Sequence, residues 1–542
     1  MLAAFLLAPL LLITLYPLGH LVYQVLRSPE GIGLYAILFA KASTWSGIRN
    51  TLLLASATTL LSAALALPLA WLLTRTDLKG KVRWRTWLLM PYVIPPYVGA
   101  IAWVQLANPK TGLLLALPFL RGQLNIYSFT GLVWVMASFF YSFVLLALLN
   151  VMERLDPSLE EAARVSGASP WRVFLHITLP LIKAPLASGM MLVFLASCAS
   201  FGVPALIGAP ARIFVATTKI YALQQAGSFT GLYLAGALSS LLLGLALAAI
   251  LFLRQMEKKS PPSLSGKTPR AALLPLGHHQ VIAQLLVAAL FTLVFVLPLT
   301  ALALSAFSPQ AGRWGEWSLV HARRLWLETP QFGEALKNSA LLSLTAAGIS
   351  TLYGGVLSYA KVKAKLTGGA LIDLASTLAY ATPGTVFAFA LILSFSYGVL
   401  GLPVALGNTL WILVVAYVAH FLSFGLRTSS AGLAQIDDVL VEAARVSGAG
   451  PWATLRTIWL PLMVPHLVSS FLTVFMLALS ELTMSVLLAG PGLQTLGVLI
   501  FQLQDYADPS GGSAALLSLL LVLFVLALNA LIKRLTQGRY GL

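Results

Sequence analysis

Apolar residues along the chain gather into long runs separated by short polar stretches. Twelve runs approach or exceed the roughly 20 residues a membrane helix needs. They lie near 3–25, 49–73, 86–106, 130–152, 184–207 and 230–253, then 281–306, 338–360, 370–397, 404–426, 465–489 and 512–532. The pattern predicts an all-α integral membrane protein of about twelve spans. Pro91, Pro95 and Pro96 interrupt the third run, and Pro383 and Gly384 the ninth. Breaks inside hydrocarbon survive only where protein or a cavity re-satisfies the backbone. Both are therefore candidates to line a pore, an ordinary kinked helix being the alternative. The first run lacks a basic leader and a small-residue cleavage site, so it reads as a retained helix and not a signal peptide.

Composition agrees. Of 542 residues 59% are hydrophobic and only 9% charged, with 34 Lys and Arg against 17 Asp and Glu. So little charge cannot cover a soluble globular surface, and so much apolar content excludes disorder. A net charge of +17 in a soluble protein would suggest nucleic acid. Here it records orientation, because cytoplasmic loops collect Lys and Arg. With the N-terminus inside, 23 of the 34 basic residues fall in inside loops, which predicts cytoplasmic N- and C-termini. The outer loop 307–337 departs from this with Arg313, Arg323, Arg324 and Lys337. Its Trp314, Trp317 and Trp326 suit a segment at the interface.

The chain repeats itself. Residues 160–181 (EEAARVSGASPWRVFLHITLPL) and 441–462 (VEAARVSGAGPWATLRTIWLPL) agree at 14 of 22 positions without a gap. Upstream, Asn50-Thr51 and Asn338-Ser339 each open a span, and each Asn stands 45 residues before a proline, Pro95 or Pro383. Each half thus holds six spans with the strong repeat after the fourth. Six is even, so both halves enter the membrane the same way, related by a two-fold axis along its normal. The expected units are 1–253 and 281–542. The polar, turn-rich segment 254–280 reads as a cytoplasmic linker.

The repeated segment has a derivable local structure. Asp156-Pro157 is a helix start, with Asp437 at the equivalent place. That helix stops at Gly167 or Gly448. Ser169-Pro170 or Gly450-Pro451 opens a second helix, expected to end near Pro180 or Pro461. Small Ala162 and Ala163, like Ala443 and Ala444, let one face approach a neighbour closely. Such a loop could pack on its own bundle. Two like loops on one face also suit a two-fold symmetric partner.

Glu161-Ala162-Ala163, Gly167 and Ile177-x-Leu179-Pro180 resemble the EAA signature of ATP-binding-cassette importer permeases. Glu442-Ala443-Ala444, Gly448 and Ile458-x-Leu460-Pro461 repeat it at the same spacing. Two permease units in one chain are similar to the ferric-iron (Fbp-like) permease family. The stretches 91–100 and Phe201-Gly202-Val203-Pro204 resemble it most. Related permeases serve thiamine, polyamines, phosphonates or sulfate. The resemblance implies that the loop is a coupling helix docked on a homodimeric cytoplasmic ATPase. Glu161 and Glu442 would then meet the ATPase, Gly167 and Gly448 make the turn, and Arg164 and Arg445 add contacts. It also implies a periplasmic or extracellular binding protein that delivers cargo, and a bacterial inner membrane. ATP and Mg2+ would be held by the partner. Where relatives place an acidic residue this chain has Ser200, with Glu481 at the equivalent position of the second half.

The chain's own chemistry is sparse. Gly80-Lys81 and Gly266-Lys267 lack the remainder of a P-loop, and no catalytic cluster or resident metal or cofactor site emerges. Glu481 is the clearest ionisable residue within a span, open to roles in cargo contact, helix pairing or a wet cavity. Ser200, Glu481, Pro95 and Pro383 are the candidate translocation-path residues. His20 and His420 read as interfacial, His278-His279 as a poor metal pair, and Cys198 as a small buried apolar residue. An ion-coupled carrier, the rival class, would need paired intramembrane charges and leaves the repeated loop unexplained.

Overall fold

The computed structural model describes residues 2–120, 123–156, 158–259, 273–366, 368–396, 398, 405–507 and 511–535. Pro157 and residues 260–272 of the expected linker lie outside them. Among the described residues the chain is helical, with one isolated bridge between Thr76 and Leu274. Among the described residues nine helices are long and apolar enough to cross a membrane, and three bent pairs, each taken as one span, bring the total to twelve. In order they are Ala4–Ile13 with Leu15–Leu26, Ala42–Arg75, Lys81–Val93 with Pro96–Ala107, Phe129–Met152, Pro170–Ala199 and Phe229–Met256. Then follow Gly277–Phe307, Gln331–Val362, Gly369–Ala381 with Gly384–Phe395, Leu410–Ala434, Pro451–Leu479 and Gly512–Leu535. They are called spans 1 to 12 below.

Spans 3 and 9 bend by 99° and 108° at their prolines. Pro95 and Pro383 both take extended ψ, 129° and 134°. A proline at position 96 disfavours helix at residue 95 and then fits the first turn of the next helix. The break exposes backbone groups that hydrocarbon cannot solvate. Tyr141 answers from span 4, its hydroxyl donating to the Leu88 carbonyl at 2.6 Å. In span 9, Thr382 donates to Leu378 O at 2.7 Å.

Spans 5 and 11 correct an expectation. The second helix of each repeated loop does not end near Pro180 or Pro461 but runs on into the membrane, so these spans begin at Pro170 and Pro451. Just before each Leu-Pro pair the helix widens to π geometry, over Phe174–Thr178 and Leu455–Trp459. Thr292–Val296 does the same before Leu297-Pro298 in span 7. A proline ring collides with the carbonyl four residues back and offers no N–H. One π turn absorbs both problems without a break. His420 is likewise not interfacial. It lies well inside span 10, among the rings of Tyr380, Phe387 and Phe421.

The halves exchange their first and last spans. One core gathers spans 2 to 5 with Val287, Val294 and Leu302 of span 7 and Val522 and Val525 of span 12. The other gathers spans 8 to 11 with Leu18, Leu21 and Val25 of span 1 and Leu234 and Leu238 of span 6. At Gly236 the exchange leaves no room: a Cβ there would stand 2.9 Å from Val25 and 3.6 Å from Phe389. The repeat in sequence is therefore not the unit of packing.

The Asn echo is a pair of latches near the start of spans 2 and 8. Asn50 donates to Phe214 O, and Thr51 accepts the Ala216 N–H at 2.8 Å. Asn338 donates to Gly492 O and Gln494 O, and Ser339 accepts the Leu496 N–H at 2.7 Å. At the opposite ends, Asp77 N–H donates to Leu274 O, and Asp77 Oδ1 accepts the Leu276 N–H. The loop after span 2 and the end of the expected linker thus meet on one face. Within 307–337, Trp317 and Trp326 are exposed while His321 is buried against Ser308 O.

Spans 8 and 10 cross at backbone contact. A Cβ on Gly354 would lie 2.7 Å from the Gly425 carbonyl carbon, and one on Gly425 would meet Ser350 O. Backbone cannot yield as a side-chain tip can, so Gly425→Val is expected to cost roughly 3 kcal/mol. The check is a fall in thermal unfolding midpoint of the purified chain. Gly355→Ala is the control: its Cβ would make an ordinary 3.5 Å contact with Leu467, so the midpoint should hold.

Candidate functional site

Each repeated loop is a short helix, a left-handed glycine and a longer helix. The short helices are Ser158–Val165 and Asp438–Val446. Asp156 and Asp437 cap them, accepting the N–H of Ser158 at 2.9 Å and of Val439 at 3.0 Å. Both helices end in the same way. Ala168 N–H donates to Ala163 O and Gly167 N–H to Arg164 O. Ala449 N–H donates to Ala444 O and Gly448 N–H to Arg445 O. This is the Schellman pattern, which needs a left-handed residue. Gly167 and Gly448 have φ of +82° and +81°.

The two copies are held to the membrane differently. In the first, Glu160 and not Glu161 is buried. Its carboxylate takes the Arg75 Nε at 2.9 Å and the Thr178 hydroxyl at 2.8 Å. Arg75 also donates to Met152 O at 2.9 Å, and one of its terminal nitrogens has no partner among the described residues. In the second copy Val441 replaces Glu160 and sits with Leu433, Ile436, Trp459 and Met463. Lys363, the counterpart of Arg75, pairs with Asp438 at 2.6 Å, donates to Ile436 O at 2.9 Å and lies over the Trp459 ring. Both arrangements tie the short helix to the end of the second span of its half.

The remaining loop residues separate into roles. Glu161 is half-buried and Glu442 exposed. Ala162 and Ala443 are exposed, and Ala163 and Ala444 half-buried. Arg164 donates to Glu160 O at 3.3 Å, while Arg445 is exposed. Pro180 and Pro461 lie two turns or more into spans 5 and 11, away from the turn. Sequence reading passed over the outermost residues. Leu159, Val165 and Trp171 are exposed on the first loop, and Leu440, Val446 and Trp452 on the second. Val165 and Val446 are each 90% exposed. These are equivalent positions, and all three pairs are identical, which was the available signal.

Pro95, Ser200, Pro383 and Glu481 all mark ends or breaks of helices, and the breaks meet. A Cβ on Gly202 would lie 2.5 Å from Tyr97 Cβ and 3.2 Å from Leu482, joining spans 3, 5 and 11. One on Gly384 would lie 2.9 Å from Thr483, joining spans 9 and 11. Ser200 ends span 5, and its carbonyl accepts the Thr217 hydroxyl at 2.7 Å. Glu481 is turned into its own chain. It accepts the N–H of Met484 at 2.7 Å and, from Ser485, the N–H at 3.1 Å and the hydroxyl at 2.7 Å. Tyr417 meets the same Ser485 hydroxyl at 2.6 Å. The carboxylate thus holds the turn after span 11. The Tyr97 hydroxyl, buried at this junction, has no hydrogen-bond partner among the described residues. Cys198 is buried, and His278 and His279 face each other with ring centres 3.8 Å apart. Among the described residues no three His, Cys, Asp or Glu gather as a metal site.

Twelve spans in two repeats, broken near a common junction and carrying like loops, define a membrane transport component. The chain belongs to the family of binding-protein-dependent transport system inner membrane components, whose pattern matches residues 66–254 and 351–539. Membership implies a multi-pass inner-membrane protein that works with an ATPase and a binding protein. A Haemophilus influenzae protein provisionally named ferric transport system permease protein FbpB 1 is 28% identical over 80% of this chain and 69% of its own length. The Fe(3+)-transport system permease protein FbpB 2 of the same organism is 24% identical over 93% and 92%. A Salmonella paratyphi A protein provisionally assigned to 2-aminoethylphosphonate transport, PhnV, is 29% identical over 47% of this chain and 96% of its own. These relatives are transport components and not enzymes.

Removing one partner of a buried ion pair leaves the other uncompensated, whereas removing both can be neutral. Glu160→Met is therefore expected to cost about 3–5 kcal/mol, read as a lower unfolding midpoint. Arg75→Met with Glu160→Met should recover most of the loss. In the second loop, the hydrogen bond from Lys363 and its charge, with Lys365 beside it, hold the Asp438 carboxyl below its usual value. A depressed carboxyl stabilises above its unfolded value of about 3.9 and loses that contribution as pH falls through its folded value. Asp438→Asn should therefore flatten the acid limb of the stability profile below about pH 4 and leave the alkaline limb unchanged.

Proposed function

We propose that this chain is the permease of an ATP-driven importer that takes ferric iron from a periplasmic or extracellular binding protein and releases it into the cytoplasm. The carrying observation is the matched exposure of Leu159, Val165 and Trp171 with Leu440, Val446 and Trp452 on two loops of one chain. Apolar residues kept in water at equivalent places favour a partner that presents the same surface twice. A homodimeric cytoplasmic ATPase fits, with ATP and Mg2+ held by the ATPase. That assignment puts the loops, both termini and the segment between spans 6 and 7 in the cytoplasm, the side favoured by the Lys and Arg count. The proposed units are 1–253 and 281–542, joined through 254–280.

The mechanism is alternating access. The binding protein docks on the outer face, where the 307–337 segment is the largest feature. ATP draws the ATPase subunits together and moves the two loops with them. Each loop continues as a helix through the membrane to the junction of broken spans, so a shift at the loop reaches Ser200 and the turn after span 11. Iron is the cargo best supported, because relatives named for ferric transport match most of this chain. The phosphonate relative supports a second cargo within the same class, and thiamine or a polyamine would suit the same architecture. An ion-coupled carrier gains little, since Glu481 is occupied by its own turn.

Gly167→Val and Gly448→Val should each force the turn out of its left-handed geometry. Together they are expected to reduce ATPase recovery in pull-down and transport by about tenfold or more, since the docking surface loses its shape. Unchanged ATPase binding and transport would defeat the docking assignment. Metal analysis and mass spectrometry of the cognate binding protein decide the cargo: iron supports it, and a bound phosphonate, thiamine or polyamine without iron overturns it.

A further inference from the structure

A groove of about 770 Å3 opens behind the second loop, between the end of span 8 and the start of span 11. Along span 8, Leu352, Val356, Tyr359 and Lys363 line it at helical spacing, so one stripe runs from aliphatic to aromatic to cationic. Leu352, Val356 and Tyr359 are exposed, as is Leu460 on the opposite wall. The apolar end therefore opens sideways onto the surface that faces lipid. At the other end stand Lys363, Lys365 and Arg445 with Asp438 and Glu442. Asp438 is taken by Lys363, and the rim carries one net positive charge.

The first copy is not built this way. Gly355, which opens the groove, corresponds to Leu67, and the cation Lys365 corresponds to the acid Asp77. Asp77 is engaged with the backbone of Leu276. Lys365 is held in a left-handed turn at φ +49°, which projects an exposed ammonium at the membrane boundary in the second copy.

We infer that this groove binds one anionic phospholipid from the leaflet on the side of the repeated loops. The phosphodiester sits at Lys365 and Arg445, and an acyl chain lies along Leu352, Val356 and Leu460. A single negative charge meets a single net positive rim, and the aliphatic wall is continuous with the bilayer. Basic pockets between membrane helices at the cytoplasmic side recognise lipid headgroups in this manner. The tyrosine between the two ends supplies an amphipathic ring at headgroup depth. The site needs neither cargo nor ATP.

The test uses the purified full chain in vesicles of phosphatidylethanolamine with phosphatidylglycerol, followed by gentle detergent extraction and native mass spectrometry. The expected result is one phosphatidylglycerol retained in preference to phosphatidylethanolamine. Lys365→Glu changes two charges, each worth about fivefold near an anionic lipid, so retention should fall roughly 25-fold. Val356→Trp, which fills the apolar wall at an exposed position, should also release the lipid while leaving the unfolding midpoint in place. Equal retention of the two lipids, or wild-type retention by both variants, overturns the assignment. If Val356→Cys is shielded from thiol reagents only when the ATPase is bound, the occupant is the ATPase and the lipid reading is lost. The retention assay is blind to cargo, so its failure leaves the importer reading standing, and a different cargo leaves the lipid site standing.

Discussion

A proline within a helix removes one donor and crowds the carbonyl a turn behind it. At Pro180 and Pro461 the chain meets that cost with a single π turn, and the helix continues. The face that carries the loops is thereby joined to the middle of the membrane by one continuous helix. Pro170–Ala199 has 30 residues, which at 1.5 Å per residue is about 45 Å of unbroken rod. One end is fixed to the short loop helix through the left-handed glycine. The other ends where spans 3, 5 and 11 meet at Gly202. A break at the proline would leave a hinge between the two, and movement of the loop would be spent in bending.

The exchanged first and last spans set what that rod can move against. Span 7 packs into the core of spans 2 to 5, and span 1 into the core of spans 8 to 11. Neither half can rotate as a sequence unit without tearing its own first and last spans from the opposite core. A rotation would therefore divide along the packing cores, each carrying one loop and two borrowed spans. The family pattern begins within spans 2 and 8 and runs into spans 6 and 12, so the shared part of each half omits one exchanged span and keeps the other.

Much of this was legible in the residues, for physical reasons that differ by element. Spans are visible because hydrocarbon tolerates few charges over 20 residues, and the breaks of spans 3 and 9 because Pro95-Pro96 and Pro383-Gly384 leave the backbone no helical choice. The loops were legible down to the cap and the turn, since Asp156, Gly167 and their counterparts act within a few residues of themselves. The exchange of first and last spans was not, because apolarity reports that a helix is buried and not by which neighbour. The Arg75–Glu160 pair spans 85 residues and one of two adjacent glutamates, and nothing local distinguishes Glu160 from Glu161. Glu481 invited a transport role because a carboxylate in a span is costly. Its partners proved to be the backbone and hydroxyl three and four residues ahead, a capping pattern in which Ser485 was the clue. Pro180 and Pro461 were read as ends because the widening that spares them has no sequence signature beyond the proline.

The turn glycines differ from those at the helix crossings. Nothing lies within 4 Å of where a Cβ would project from Gly167 or Gly448, so space does not require glycine there. Handedness does: the turn needs positive φ, which the side chain of an L-residue resists. A mirror-image alanine prefers the same positive φ and would suit the backbone of either turn. At these two positions the chirality of the residue, and not its bulk, decides what the loop accepts.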